Sequence, residues 1–152
     1  THKMALKRKL HKYNSNLIYS FKCFGHPNIK AKHPKTIEFT KDRDIGIKAD
    51  CIIGVNSDFN KQELKKFAGK ILLTVECDGI VDEFHAIVNP DFDDDREVVL
   101  RKGKFLSQRT FGVMLNKGAN GLKREIAKKM RESEKEMRVM IFQKPVVELS
   151  YK

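Results

Sequence analysis

Two histidines stand out among the residues that could do chemistry. In the stretch Gly25-His26-Pro27-Asn28-Ile29-Lys30-Ala31-Lys32-His33-Pro34-Lys35, each histidine precedes a proline and two lysines lie between them. An imidazole can move a proton, hold a metal or contact a phosphate. A proline pushes the residue before it toward extended backbone, so both histidines sit on loop-like chain. On such backbone an imidazole can also act as a turn residue, bonding the local main chain. A loop that presents Lys30, Lys32 and Lys35 suits a phosphate or carboxylate better than a rigid metal cage. If His26 or His33 served as acid/base, Glu38 or Asp50 could orient it, and Arg109 or Lys35 could clamp an anionic substrate.

Other chemistries find less support. Cys51 is the best-placed thiol nucleophile, but it follows Asp50, and a neighbouring carboxylate works against the thiolate. A buried core cysteine is the better reading. His26, His33, Cys51, Cys77 and His85 are ligands by type, yet none has a recognised metal-site spacing, so no metal and no cofactor is expected. The run Asp91 to Asp95 lacks the glycine and terminal glutamate of a calcium loop. No serine-histidine-aspartate ordering, nucleophile elbow or phosphate-binding loop of the Walker type is present.

Charge is more informative. The chain has 152 residues and a net charge of +11, but nine basic residues and no acidic one precede Glu38. Beyond that point 22 basic residues nearly balance 20 acidic ones. Such crowding at one end points to a polyanionic partner, nucleic acid or an anionic small molecule. A second cationic region follows if residues 116–137 form one helix: Arg124, Lys128, Arg131 and Lys135 would then share an outward face, opposite Ala119, Leu122, Ile126, Met130 and Met137. The entry to that helix, Asn116-Lys117-Gly118-Ala119-Asn120-Gly121, offers orphan amides and Lys117 to an anion. The plainer alternative is a solvated helix face with ordinary Glu125–Lys129 and Glu134–Arg138 pairs. No apolar run approaches the roughly 18 residues of a membrane span, and no membrane association is expected. Three dispersed cysteines, an odd number, suit a reducing cytoplasm.

These residues need a scaffold, and the pattern predicts one domain over residues 17–152 after a basic mobile arm over 1–16. Leu17–Phe24 alternates with period two, placing Tyr19, Phe21 and Cys23 on one face. Thr36–Thr40 does the same, with Ile37 and Phe39 inward and Thr36, Glu38 and Thr40 outward. The run 50–55 is a short buried strand. Asn60 with Glu63 has capping-box spacing for a helix that ends near Gly69 and turns Leu64 and Phe67 to the core. Asp78-Gly79 between two apolar runs is a strong hairpin cue. It sets Val75 against Asp82, Leu73 against Phe84 and Ile71 against Ala86, with Glu76–Val81, Thr74–Glu83 and Leu72–His85 on the other face. Strands over 97–102 and 109–115, the helix at 116–137, and a closing hairpin of 138–142 with 146–150 complete the count. About nine strands and two helices without regular alternation predict a mainly β (α+β) fold, an antiparallel sandwich or barrel.

The stretches GHPNIKAKHPKTIEFTK, DCIIGV, NPDF, EVVLRK and RTFGVMLNKGANGLKREI together resemble an archaeal family known as domain of unknown function 371, over roughly residues 18–145. The resemblance implies a cytosolic protein with a jelly-roll-like β sandwich. It carries no established activity and assigns no catalytic residue, though its motifs contain His26, His33, Glu38, Asp50, Cys51 and Arg109. Three functions follow as expectations: a non-enzymatic binding module for a polyanion such as RNA, a small enzyme acting on an anionic metabolite, or a structural subunit that oligomerises through exposed strand edges.

Overall fold

The computed structural model describes residues 16–145. In chain order it contains β1 (Ile18–Phe24), β2 (Thr36–Thr40), β3 (Ile52–Gly54), α1 (Lys61–Leu64), β4 (Lys70–Cys77), β5 (Ile80–Val88), β6 (Glu97–Arg101), β7 (Thr110–Val113), a 3-10 turn (Ala119–Gly121), α2 (Arg124–Lys129) and β8 (Glu136–Gln143). The basic arm, up to residue 15, and the strand expected over 146–150 lie outside the described residues.

The mainly β class holds, with a mixed rather than wholly antiparallel pairing. One continuous sheet runs in the order β1-β8-β4-β5-β7-β6-β2-β3. Its neighbours are antiparallel except β2–β3 and β6–β7, which are parallel. The sheet curls, because Phe21 of β1 packs edge-on against Phe39 of β2 with ring centroids 5.4 Å apart, although these strands lie near opposite ends of the order. It is not closed into a barrel. Among the described residues a single bridge joins the two ends, Phe24 to Val55, with each N–H donating to the other's carbonyl at 2.8 Å.

The inner face of the curl is the core. Phe21, Ile37, Phe39, Leu73, Val75, Phe84, Leu100, Phe111, Val139 and Ile141 point into it and are buried. The β4–β5 hairpin has all six expected cross-strand pairs. Asp78 and Gly79 both take left-handed backbone, φ 51° and 82°, the turn whose twist matches the strands it joins. At α1, Asn60 Oδ1 accepts the Gln62 and Glu63 amides at 2.8 and 3.3 Å. The reciprocal half of the capping box is replaced: the Asn60 N–H donates to Tyr19 Oη, and Glu63 pairs with Lys66.

The long closing helix does not form. α2 ends at Lys129, and Met137 belongs to β8. The chain is drawn out of the helix by the backbone at Gly25 and His26. The His26 N–H donates to Met130 O, the Gly25 N–H to Lys135 O, and Gly25 O accepts from Glu134 N–H. A Cβ at Gly25 would lie 2.1 Å from Glu132 O, so glycine is required for this approach. The carbonyl of Met130, the residue that caps α2, is taken by the His26 amide and is not available to a further helical turn.

Candidate functional site

The histidine stretch is anchored inward before it presents anything outward. Ile29 and Ala31 are fully buried, and Lys30 and Lys32 between them are exposed. Each histidine closes a turn over its own proline. His26 Nδ1 accepts the Asn28 N–H at 2.9 Å, and His33 Nδ1 accepts the Lys35 N–H at 3.1 Å. An accepting Nδ1 places the ring proton on Nε2. For His26 that proton faces Asp44 Oδ1, 2.6 Å away. Its carboxylate partner is thus Asp44, not Glu38 or Asp50. Asn28 Nδ2 donates to Ile45 O at 2.8 Å, and the Lys32 and His33 amides both donate to Asp50 O. The loops 25–35 and 41–50 are therefore laced side by side.

A different cluster gathers round Glu38. The β2 residues Thr36, Glu38 and Thr40 do point away from the core, as their alternation predicts, but they are not solvated: Glu38 is only 6% exposed. Glu38 Oε1 accepts from Cys51 Sγ at 3.7 Å and lies 3.8 Å from Arg109 Nη1. Arg109 Nη1 sits closer, 2.9 Å, to Glu97 Oε2 on β6. Burial first, then the adjacent Glu97 carboxyl, pushes Glu38 up to about 8, with Arg109 pulling the other way. Near neutral pH the Glu38 carboxyl therefore keeps its proton. Burial, then Glu38 and Asp50, pushes the Cys51 thiol up to about 12, which leaves almost no nucleophilic thiolate. Cys23 and Cys77 are buried and free. Glu38, Cys51 and Arg109 converge, Asp50 acts on the cluster only through its charge on Cys51, and neither histidine hydrogen-bonds it among the described residues.

The expected cationic row is dispersed. Arg124 donates to the carbonyls of Leu122, Ala119 and Ala31, which spends its guanidinium on holding loops together. Lys135, with Lys129, pairs with Asp78. Lys128 and Arg131 are exposed and make no ion pair among the described residues. The helix entry does receive an anion, and it is the protein's own. Asp82, 7% exposed, accepts from Lys117 Nζ at 2.6 Å and the Lys123 N–H at 2.9 Å. Burial works against its charge, but these donors outweigh it and hold the carboxyl below its usual range. Gly118 is required there, since a Cβ would meet Pro34 backbone at 2.4 Å.

The two cationic regions nevertheless touch. Arg124 Nη1 reaches Ala31 O at 3.0 Å, between Lys30 and Lys32, and the Asn120 N–H donates to His33 O. Lys30, Lys32 and Lys48 surround one open concavity with Ile47 and Asp50. None of these lysines makes an ion pair among the described residues. Lys35 O accepts the Lys102 N–H, which brings in the loop of Lys102, Lys104 and Phe105. Phe105 is 67% exposed, with the Arg101 guanidinium 5.2 Å from its ring centre.

Sequence reasoning overlooked Asp44, Glu97 and Phe105. Phe105 was findable, because an aromatic between lysines and a serine in Lys102-Gly103-Lys104-Phe105-Leu106-Ser107 has no apolar periodicity to bury it. Among the described residues no group of three or more His, Cys, Asp and Glu is placed to hold a metal, and no helix is long and apolar enough to cross a membrane. An uncharacterized protein of Methanocaldococcus jannaschii is 32% identical over 123 residues, covering 75% of this chain and 91% of the relative. The family model described as Domain of unknown function (DUF371) matches residues 21–144, which hold the laced loops, the Glu38 cluster and the Asp82 anchor, and the chain belongs to that family.

Proposed function

We propose that this protein is a non-enzymatic, cytoplasmic binding module for single-stranded RNA. The observation that carries the reading is the concavity with Lys30, Lys32 and Lys48 around it, unpaired among the described residues and joined to the start of α2 through Arg124. Phosphates would lie along these ammonium groups, each releasing counterions from the strand. Lys35, Lys102 and Lys104 extend the face toward Phe105, an exposed ring on which a base can stack. Fluorescence anisotropy with a labelled single-stranded RNA at rising salt tests this. Affinity should fall linearly in log–log form, whereas no binding at low salt, or a flat response, overturns it.

A second reading, an enzyme acting on an anionic metabolite, rests on Glu38. A buried carboxyl that holds its proton up to about pH 8, beside Glu97 and Arg109, has the form of a general acid with an anion clamp. It requires an anionic metabolite that shifts the Glu38 titration followed by carboxyl NMR. A metabolite panel that leaves that titration unmoved removes the reading.

A further inference from the structure

A second cavity, of about 410 Å³, opens at the seam where β1 meets the residues after β3. Phe24, His26, Arg43, Asn56, Ser133 and Glu134 line it. It falls in the size class of small-molecule sites, roughly 300–1,000 Å³. The same two loops that carry Lys30, Lys32 and Lys48 supply His26 and Arg43 to it.

Its polar lining is unspent. The side chains of Arg43, Asn56, Ser133 and Glu134 are solvent-exposed at its rim and make no hydrogen bond or ion pair among the described residues. Asn56 and Glu134 also hold left-handed backbone, φ 49° and 65°, a conformation that needs support from its surroundings. His26 is different. Both its nitrogens are engaged, with Asn28 and Asp44, so it can offer the cavity only ring surface, in a fixed orientation. The backbone groups of Phe24 and Val55 are spent on each other.

We infer that this cavity takes one unpaired nucleotide of the bound strand, with guanine as its base. The inference takes its ligand class from the RNA-binding reading. A carboxylate only accepts hydrogen bonds, and guanine alone among the four bases presents two adjacent donors, N1–H and the N2 amino group, on its pairing edge. Glu134 would take that edge. The rings of His26 and Phe24 would cover the base, Arg43 would hold its phosphate, and Asn56 and Ser133 would meet the remaining polar atoms.

Calorimetric titration of the full chain with guanosine 5′-monophosphate and adenosine 5′-monophosphate tests the proposal, alongside anisotropy with guanine-containing and guanine-free single-stranded RNAs. The guanine nucleotide should bind at least about tenfold more tightly than the adenine one. Glu134→Gln should abolish that preference, and Arg43→Ala should reduce the nucleotide to the affinity of guanosine. Equal binding of the two nucleotides, or a preference that survives Glu134→Gln, overturns the inference. RNA binding that is salt-dependent but indifferent to guanine overturns the cavity assignment and leaves the RNA reading standing. Selective binding of the guanine nucleotide without RNA binding does the reverse.

Discussion

Two carboxyls, Glu38 and Asp82, both have little solvent exposure, though Glu38 is the more deeply enclosed, and each faces a cation. They end in opposite states: Asp82 is held below its usual range, and Glu38 is pushed up to about 8. The difference lies in how deeply each carboxyl is enclosed and in who else shares the cation. Lys117 reaches Asp82 at 2.6 Å with no second carboxylate on it, and the Lys123 and Glu83 amides add two further donors. Arg109 bonds Glu97 at 2.9 Å and only approaches Glu38, at 3.8 Å. Burial alone raises both groups, and the donors decide whether it is overcome. Asp82 is therefore a structural anchor that pins the entry to α2. Glu38 is a proton reservoir, facing outward under Arg109 and Cys51.

The largest expected effect is at the anchor. Asp82→Ala leaves the Lys117 ammonium over the Phe84 ring and the Lys123 amide without its acceptor, and should lower unfolding stability by about 3 kcal/mol. Urea denaturation would show this as a shifted midpoint at unchanged slope. A loss within half a kilocalorie would mean that Lys117 and the amide find water at no cost, and the contrast with Glu38 would collapse.

Next comes the pH dependence, where the two groups have opposite signs. A raised folded value stabilises fully below the unfolded value, near 4.5, and that contribution is lost as pH rises toward 8. A lowered folded value contributes stability above the unfolded carboxyl value, and that contribution is lost as pH falls from there through the lowered folded value. Glu38→Gln should therefore match the wild type near pH 4.5 and exceed it at pH 8.5 by on the order of 3 kcal/mol. Stability curves that run parallel across this range would show that Glu38 titrates normally.

Smaller still is Arg109→Ala. Half exposed, the guanidinium gives Glu38 modest relief, so its removal should raise the Glu38 midpoint further and cost about 1 kcal/mol at pH 8.5. A midpoint that falls instead would mean that Glu97, relieved of its partner, no longer presses on Glu38.

Much of this was legible in local pattern. The β4–β5 register, the alternation of β1 and β2 and the cap at Asn60 all rest on residues close in sequence. The failures were non-local. Glu38 reads as solvent-facing because nothing near it in sequence shows that Arg109 and Cys51 will cover it. The amphipathic spacing from Ala119 to Met137 fits a helix, yet Gly25, a hundred residues away, supplies the backbone that ends it. A signal was present in Glu136-Met137-Arg138-Val139, where a period of two begins and Met137 opens the buried face of β8. The histidines carried the opposite lesson. Their prolines already implied turn geometry, and both imidazoles do bond the amide two residues on.

The RNA-binding claim is tested most directly by the slope of log affinity against log salt for the wild type and for Lys30→Gln/Lys32→Gln/Lys48→Gln combined. With each phosphate contact on a single strand contributing about 0.7, the triple variant should flatten the slope by about 2 while remaining folded. An unchanged slope would show that the strand, if bound at all, does not lie on this face.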